Sequence, residues 1–285
     1  MPLRPLVLPV LALVLVLGCA PATPAPADGA TTIARTASTV AEPSPTPTAT
    51  TTTPTVRALP EDTDVDYQLG GAAEPASNVG IVDRDRNAAP ASGLYNICYV
   101  NAFQTQPDEK SFWKQRSSLV LHHKGKRVVD SAWGEWLLDV GTAKKRAKLA
   151  AIVGGWIEGC ASSGFDAVEF DNLDSYTRSR HELARSDAIA FARLLVATAH
   201  ASGLAAGQKN LAGYDGTRIG FDFAVAEECG RWRECGSYTD DYGRQVVVVE
   251  YRAVDFAWTC RHYGDQLAVV LRDRDLTPAG VHEWC

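Results

Sequence analysis

The chain has 285 residues and a formal charge of −6 at neutral pH. That acidic balance excludes a protein that tracks nucleic-acid phosphates, which needs a basic surface. The six histidines are scattered and no C-x-x-C or H-x-x-x-H pair occurs, so neither a metal site nor a cofactor is expected.

The N-terminus reads as an address label. Arg4 supplies a positive flank, and Leu6 to Leu17 is an almost unbroken apolar run. At about twelve residues it is too short to span a bilayer, which takes roughly 20, and suits the apolar core of a signal peptide. It ends in Val16-Leu17-Gly18-Cys19, similar to the lipobox at which bacterial lipoproteins are cut before a lipid-carrying cysteine. The expected division is a signal peptide over 1–18, a lipidation site at Cys19, and a disordered Thr/Pro/Ala-rich tether over 19–62. An ordinary signal peptide cut near Ala20 to Ala22 is the alternative. The tether (PSPTPTATTTTPT within it) is too poor in apolar side chains to offset its ordering entropy. The protein is expected at the extracellular face, lipid-anchored to the membrane or secreted, and as a monomer.

Six cysteines remain beyond Cys19: Cys98, Cys160, Cys229, Cys235, Cys260 and Cys285. An even count in an exported protein predicts three disulfides. Cys229 with Cys235 would close a small loop, and Cys260 with Cys285 could tie down the C-terminus; other pairings stay open.

Residues 63–285 read as one domain. Strands are predicted at Val65 to Leu69, Val79 to Val82, Leu94 to Val100, Arg127 to Val129, Phe165 to Phe170, Leu204 to Gln208, Phe223 to Glu227, Val246 to Tyr251 and Leu267 to Leu271. Helices are predicted at Asp108 to His122, Ala143 to Ser162, His181 to Ser202 and Asp255 to Tyr263. Gly164 and Gly203 stand where a helix-ending glycine belongs. Alternating strand and helix implies parallel pairing with crossovers, and strands apolar on both faces imply covers on both sides. The expected class is α/β, a single (β/α)8 TIM-type barrel. A doubly wound sheet is the competing fold, but Gly70-Gly71 makes no glycine-rich phosphate loop after the first strand.

The chemistry concentrates in Gly164 to Tyr176. On a strand, Ala167, Glu169 and Asp171 share one face and Val168 and Phe170 the other. In a barrel the acidic set points inward and rises toward the C-terminal mouth, where barrel active sites sit. Other strands end in polar groups too: Asp66-Tyr67-Gln68, Asn101, Gln208-Lys209-Asn210, Glu227-Glu228 and Glu250-Tyr251. Carboxylates with aromatics and amides, and no nucleophilic Ser or Cys motif, point to glycosidic cleavage. That reaction needs one acid to protonate the leaving oxygen and a second carboxylate to attack or to activate water. Trp133, Trp136 and Tyr176 could offer sugar-stacking faces.

At these residues the chain resembles glycoside hydrolase family 114, the endo-α-1,4-polygalactosaminidases. The likeness runs through Tyr67-Gln68-Leu69, Ile97-Cys98-Tyr99, Trp133 to Leu137, Gly164 to Tyr176, Gly207 to Asn210, Glu227 to Cys235 and Val249-Glu250-Tyr251. The resemblance implies a (β/α)8 barrel acting on an α-1,4-linked galactosamine or N-acetylgalactosamine polysaccharide. It implies Asp171 and Glu227 as the catalytic pair, with Glu169 as a substrate-binding group or the alternative acid on its strand. Lys209 and Asn210 would hold substrate or a carboxylate, and Tyr67, Asn172, Asp174, Tyr176 and Glu250 would line subsites. Val100 to Gln104 and Ala226-Glu227-Glu228-Cys229 depart from the family's usual residues, and Glu228 adds a further candidate acid. Other readings of the same residues are a hydrolase of another surface or cell-wall glycan, a carbohydrate-binding lipoprotein without turnover, and a structural surface protein.

Overall fold

The computed structural model describes residues 55–285; the leader, Cys19 and the tether to residue 54 lie outside them. A nine-stranded sheet runs in chain order: β1 (Asp64–Tyr67), β2 (Val79–Asp85), β3 (Tyr95–Asn101), β4 (Ala167–Asp171), β5 (Ala205–Lys209), β6 (Phe223–Glu227), β7 (Val246–Glu250), β8 (Ala268–Arg272) and β9 (His282–Trp284). Neighbours from β1 to β8 pair parallel, and β9 joins β8 antiparallel. The result is a nearly closed TIM-type barrel.

The pleat separates two cores. Val65, Ile81, Ile97, Ala167, Phe223, Val225, Val247 and Val249 fill the interior. Cys98, Val168, Phe170 and Val248 face outward against the helices. Gly207 has a steric role inside: a Cβ there would lie 2.5 Å from the Phe223 ring, so only glycine admits that ring.

The long helices are α2 (Ala143–Ser163) and α3 (Arg185–Ala201), following the short α1 (Lys110–Lys114). Thr142 Oγ1 caps α2 by accepting from Lys145 N at 3.3 Å. Gly164, at φ 93°, ends it in the left-handed conformation that glycine adopts without strain. α4 (Cys229–Trp232) and α5 (Cys235–Tyr242) follow β6, and α6 (Ala253–Tyr263) follows β7. Among the described residues no helix is long and apolar enough to cross a membrane.

Several expectations are corrected. Arg127 to Val129 contributes no barrel strand; it belongs to two short ladders, His122–His123 with Lys126–Arg127 and Val129–Asp130 with Glu135–Trp136, in the long excursion between β3 and α2. The helix expected over Asp108 to His122 breaks into a 3-10 turn, α1 and a second turn at Ser117–Leu119. No helix follows β1 or β2. There, Arg84 gathers both connections, donating to Gln68 Oε1 at 2.8 Å, Ala73 O at 2.7 Å and Ala89 O at 2.8 Å. Residues 56–62, read from composition as tether, lie against the base of the barrel: Leu59 is buried and its N–H reaches Gln245 Oε1 at 2.8 Å.

β1 and β8 lie side by side without a ladder, and β9 ties them. Trp284 Nε1 donates to Val65 O at 2.7 Å, and Asp66 Oδ1 meets His282 Nδ1 at 2.9 Å and Arg272 Nη1 at 3.3 Å. Cys260–Cys285 anchors the end of β9 to α6; Cys98–Cys160 fixes β3 to α2, and Cys229–Cys235 joins α4 to α5. The 25-residue separation of Cys260 and Cys285 gives a loop whose closure stabilises by about 3 kcal/mol. Replacing both with serine is expected to lower the melting temperature by roughly 5–10 °C and to leave turnover at 25 °C near wild type. Thermal unfolding with a parallel rate measurement checks this.

Candidate active site

Six strands each deliver one polar side chain to the C-terminal mouth: Tyr67 from β1, Tyr99 from β3, Asp171 from β4, Lys209 from β5, Glu227 from β6 and Tyr251 just past β7. All six line a cleft of about 490 Å³, whose walls include Trp133, Glu135, Asn172, Asp174, Arg178, Asn210 and Arg274.

Lys209 is the centre of the floor. Its ammonium donates to Tyr67 OH at 2.7 Å and Glu169 Oε1 at 2.8 Å, and lies 3.4 Å from Glu227 Oε2 and 3.8 Å from Asp171 Oδ1. Burial alone would strip its proton; Asp171, Glu169 and Glu227 more than offset this and hold its pKa well above the ordinary lysine value. Burial also raises Tyr67, Tyr99 and Tyr251, so their hydroxyls stay protonated and donate. Tyr67 OH reaches Glu169 Oε1 at 3.1 Å, Tyr99 OH reaches Asp171 Oδ2 at 2.7 Å, and Tyr251 OH bonds Glu227 Oε1.

Exposure sorts the carboxylates. The Glu169 and Lys209 side chains are 0% and 2% exposed, whereas Asp171 and Glu227 keep 19% and 28% open to the cleft. Asp171 and Glu227 can therefore touch a ligand while Glu169 cannot. Burial raises the Asp171 pKa, with Lys209 opposing. For Glu227, burial is outweighed by Lys209 and by bonds from Tyr251 and Asn210, and its pKa falls below the ordinary value. Asn210 grips Glu227 at both ends, accepting from its N–H at 2.8 Å and donating to Oε2 at 3.3 Å. Two carboxylates on one ammonium, with separated proton affinities, are what acid/base cleavage requires.

Of the site residues expected from sequence, Tyr67, Asp171, Asn172, Asp174, Lys209, Asn210 and Glu227 come together. Three do not reach the cleft. Glu169 lies beneath its floor, locked to Lys209 and Tyr67. Tyr176 packs against the outer core on a 3-10 turn. Glu250 faces outward, accepting from Gly230 N at 2.7 Å and Thr259 Oγ1 at 3.0 Å; the inward set on β7 is Val247, Val249 and then Tyr251. Glu228 is held by Arg231 at 2.7 Å and Arg274 at 2.8 Å and is no free acid. Cys229 and Cys235 approach Glu250, but their disulfide removes the thiolates a metal would need.

The sequence reading gave no role to Asp83, Tyr99, Asp130, Glu135 or Arg178, and named Tyr251 only as a polar group at a strand end. Glu135 and Asp130 sit on the excursion hairpin that sequence periodicity misassigned. Asn101 Nδ2 donates to Glu135 Oε2 at 2.9 Å, Asn172 Nδ2 donates to Asn101 Oδ1 at 3.0 Å, and Asn172 N donates to Asp171 Oδ1 at 2.7 Å. Arg178 clamps Asp130 and Asp174, each at 2.8 Å. Burial pushes Glu135 up to about 7, even with Asn101 lowering it.

Lys209→Met leaves Glu169, Asp171 and Glu227 without their common cation. It is expected to cost about 3–5 kcal/mol of stability and to abolish turnover. Urea unfolding is the check; a variant as stable as wild type would show that the ammonium does not balance these carboxylates.

The model for glycoside-hydrolase family GH114 matches residues 44–285. No curated protein matches the chain. Among solved structures, the chain is similar to Ega3 of Aspergillus fumigatus, crystallised with galactosamine, at 23% identity and a TM-score of 0.67, covering 81% of this chain and 98% of that one. It is also similar to the glycoside hydrolase domain of PelA from Pseudomonas aeruginosa, at 14% identity and a TM-score of 0.54, covering 76% and 97%. With a family model that matches all of the described residues and a two-carboxylate cleft at the barrel mouth, the chain belongs to glycoside hydrolase family 114.

Proposed function

We propose that the protein is an exported, lipid-anchored hydrolase that cleaves α-1,4-linked galactosamine polysaccharide with Asp171 and Glu227 as its reactive pair. The observation that carries this reading is the placement of those two partly open carboxylates, from β4 and β6, on the single buried ammonium of Lys209. One carboxyl gives its proton to the glycosidic oxygen as the bond to the anomeric carbon breaks. The other carboxylate attacks that carbon or takes a proton from the attacking water. Ega3, with bound galactosamine, supports the sugar class at the level of fold. Three disulfides support an oxidising compartment; the proposed anchor at Cys19 rests on the sequence alone.

Glu135 bears on the sugar's amine. Asp130 and Asp174 share Arg178, whereas the hydrogen-bond partner of Glu135 is the neutral amide of Asn101. A substrate ammonium would supply its missing cation, so free-amine units are the proposed preference over N-acetylated ones. Glu135 ionises as pH rises through about 7, and the pair also needs a protonated amine, which titrates at about 8, so that preference should be greatest between the two. Glu135→Gln is expected to raise KM for deacetylated polymer about 10-fold and to leave the acetylated substrate little affected. Equal losses on both would remove the amine from the explanation.

The primary test is release of reducing ends from galactosamine polymers of graded acetylation. Asp171→Asn and Glu227→Gln should each lose roughly 10²–10⁴-fold in kcat while still binding polymer. The kcat/KM profile should be bell-shaped, its limbs belonging to the coupled pair. Activity rises as the lowered Glu227 ionises, below the usual glutamate range, and falls as the raised Asp171 loses its proton, above the usual aspartate range. No release from folded protein, with release from another surface glycan, would keep the site and change the substrate.

A further inference from the structure

Beneath the cleft lies a second carboxyl pair. Asp83, on β2, shares the inward face with Ile81 and is fully buried. Neither of its oxygens has a hydrogen-bond partner, and neither does Glu169 Oε2. Three bare carboxyl oxygens in a closed interior are costly, far more so if both groups are ionised. The nearby cation does not relieve Asp83, because the Lys209 ammonium is spent on Tyr67, Glu169 and Glu227. Two adjacent carboxyls that cannot both ionise share one proton, and the surroundings decide which carries it. Glu169 Oε1 already accepts from Lys209 and Tyr67; Asp83 has no such donor.

We propose that Asp83 is a neutral carboxylic acid through the working pH range, and that its O–H, donated to Glu169 Oε2, positions Glu169 as the single buried counter-ion of Lys209. Asp83 is thus a positioning residue, acting through Glu169 and Lys209 rather than on substrate. With Asp83 neutral, Lys209 balances one fixed carboxylate and keeps attraction for Asp171 and Glu227. This functional consequence rests on the reading of those two as the reactive pair. The titratable groups whose charges act on Asp83, or are acted on by it, are Tyr67 from β1, Glu169 and Asp171 from β4, and Lys209 from β5. Their balance agrees: burial raises the Asp83 pKa first, the Glu169 charge adds to it, and Lys209 only partly opposes.

The test uses the full-length protein and needs no substrate for its first two arms. Infrared spectra at neutral pH should show the carbonyl stretch of a buried carboxylic acid that is missing from Asp83→Asn. Thermal unfolding adds a sign. A raised folded pKa stabilises fully below the unfolded value, about 4, and this contribution is lost as pH rises through the folded value. Asp83→Asn, which cannot titrate, should therefore gain stability relative to wild type as pH increases. In the third arm, Asp83→Val should lose about 10-fold in kcat with a displaced pH profile, equivalent to one pKa unit at the reactive pair. Asp83→Asn should restore most of that loss, because an amide N–H reproduces the donor.

A wild-type spectrum without the band would overturn the proposal, as would an asparagine variant that is as impaired as the valine one. Failure of Asp83→Asn to fold would do so too, since it keeps the proposed hydrogen bond. Absence of turnover in every form, with the band and the stability trend present, would instead count against the reactive pair and leave the Asp83 assignment standing.

Discussion

One ammonium, closed off from solvent inside the barrel, sets the arrangement of everything at its mouth. An isolated buried lysine would lose its proton, and three carboxylates at that depth would repel one another. Together they form an assembly in which each charge makes the others tolerable. The ties run to Glu169 and Asp171 on β4 and Glu227 on β6, and through Tyr67 to β1. Such an assembly contributes little net stability compared with apolar packing, but it is intolerant of losing one member. What it provides is position: the open oxygens of Asp171 and Glu227 are fixed before any ligand arrives, which favours electrostatic catalysis.

That fixed floor needs rigid walls, and the fold supplies them unevenly. β3, β4 and β5 are backed by α2 and α3, with the Phe103–Phe191 and Phe170–Phe221 ring pairs behind the reactive strand. β1, β2 and the seam with β8 have no such cover. There the chain substitutes directed bonds for helical packing: the Arg84 contacts, the Asp66 contacts to Arg272 and His282, and the C-terminal disulfide. Polar ties at the seam and apolar packing behind the site divide the work of holding one barrel.

The same division explains what was legible in the sequence. The alternation Ala167, Glu169, Asp171 revealed the inward face of β4 because Val168 and Phe170 contrast with it. Lys209 and Glu227 were legible because each ends an apolar strand. Glu250 misled because Val246 to Val249 is uniformly apolar, so the sequence carries no phase, and a shift of one residue exchanges Glu250 for Tyr251. Asp83 was hidden in Val82-Asp83-Arg84-Asp85, which reads as a solvated charge run; only the fold shows Asp83 inside and Arg84 clasping loops outside. The excursion carrying Glu135 has ladders of two residues, too short for any period to register.

Depth along the strand, rather than residue type, decides what a carboxylate does here. Successive inward positions are about 6–7 Å apart, enough to pass from sealed core to open cleft. On β4 those steps hold Ala167, which packs, Glu169, which neutralises Lys209, and Asp171, which meets the cleft. On β6 they hold Phe223 and Val225, which pack, and Glu227, which meets the cleft. The glutamates at 169 and 227 share a chemical group and a cation. Because β4 carries its glutamate one step deeper, Glu169 is a fixed counter-ion, and the group that faces substrate on that strand is the aspartate two residues on.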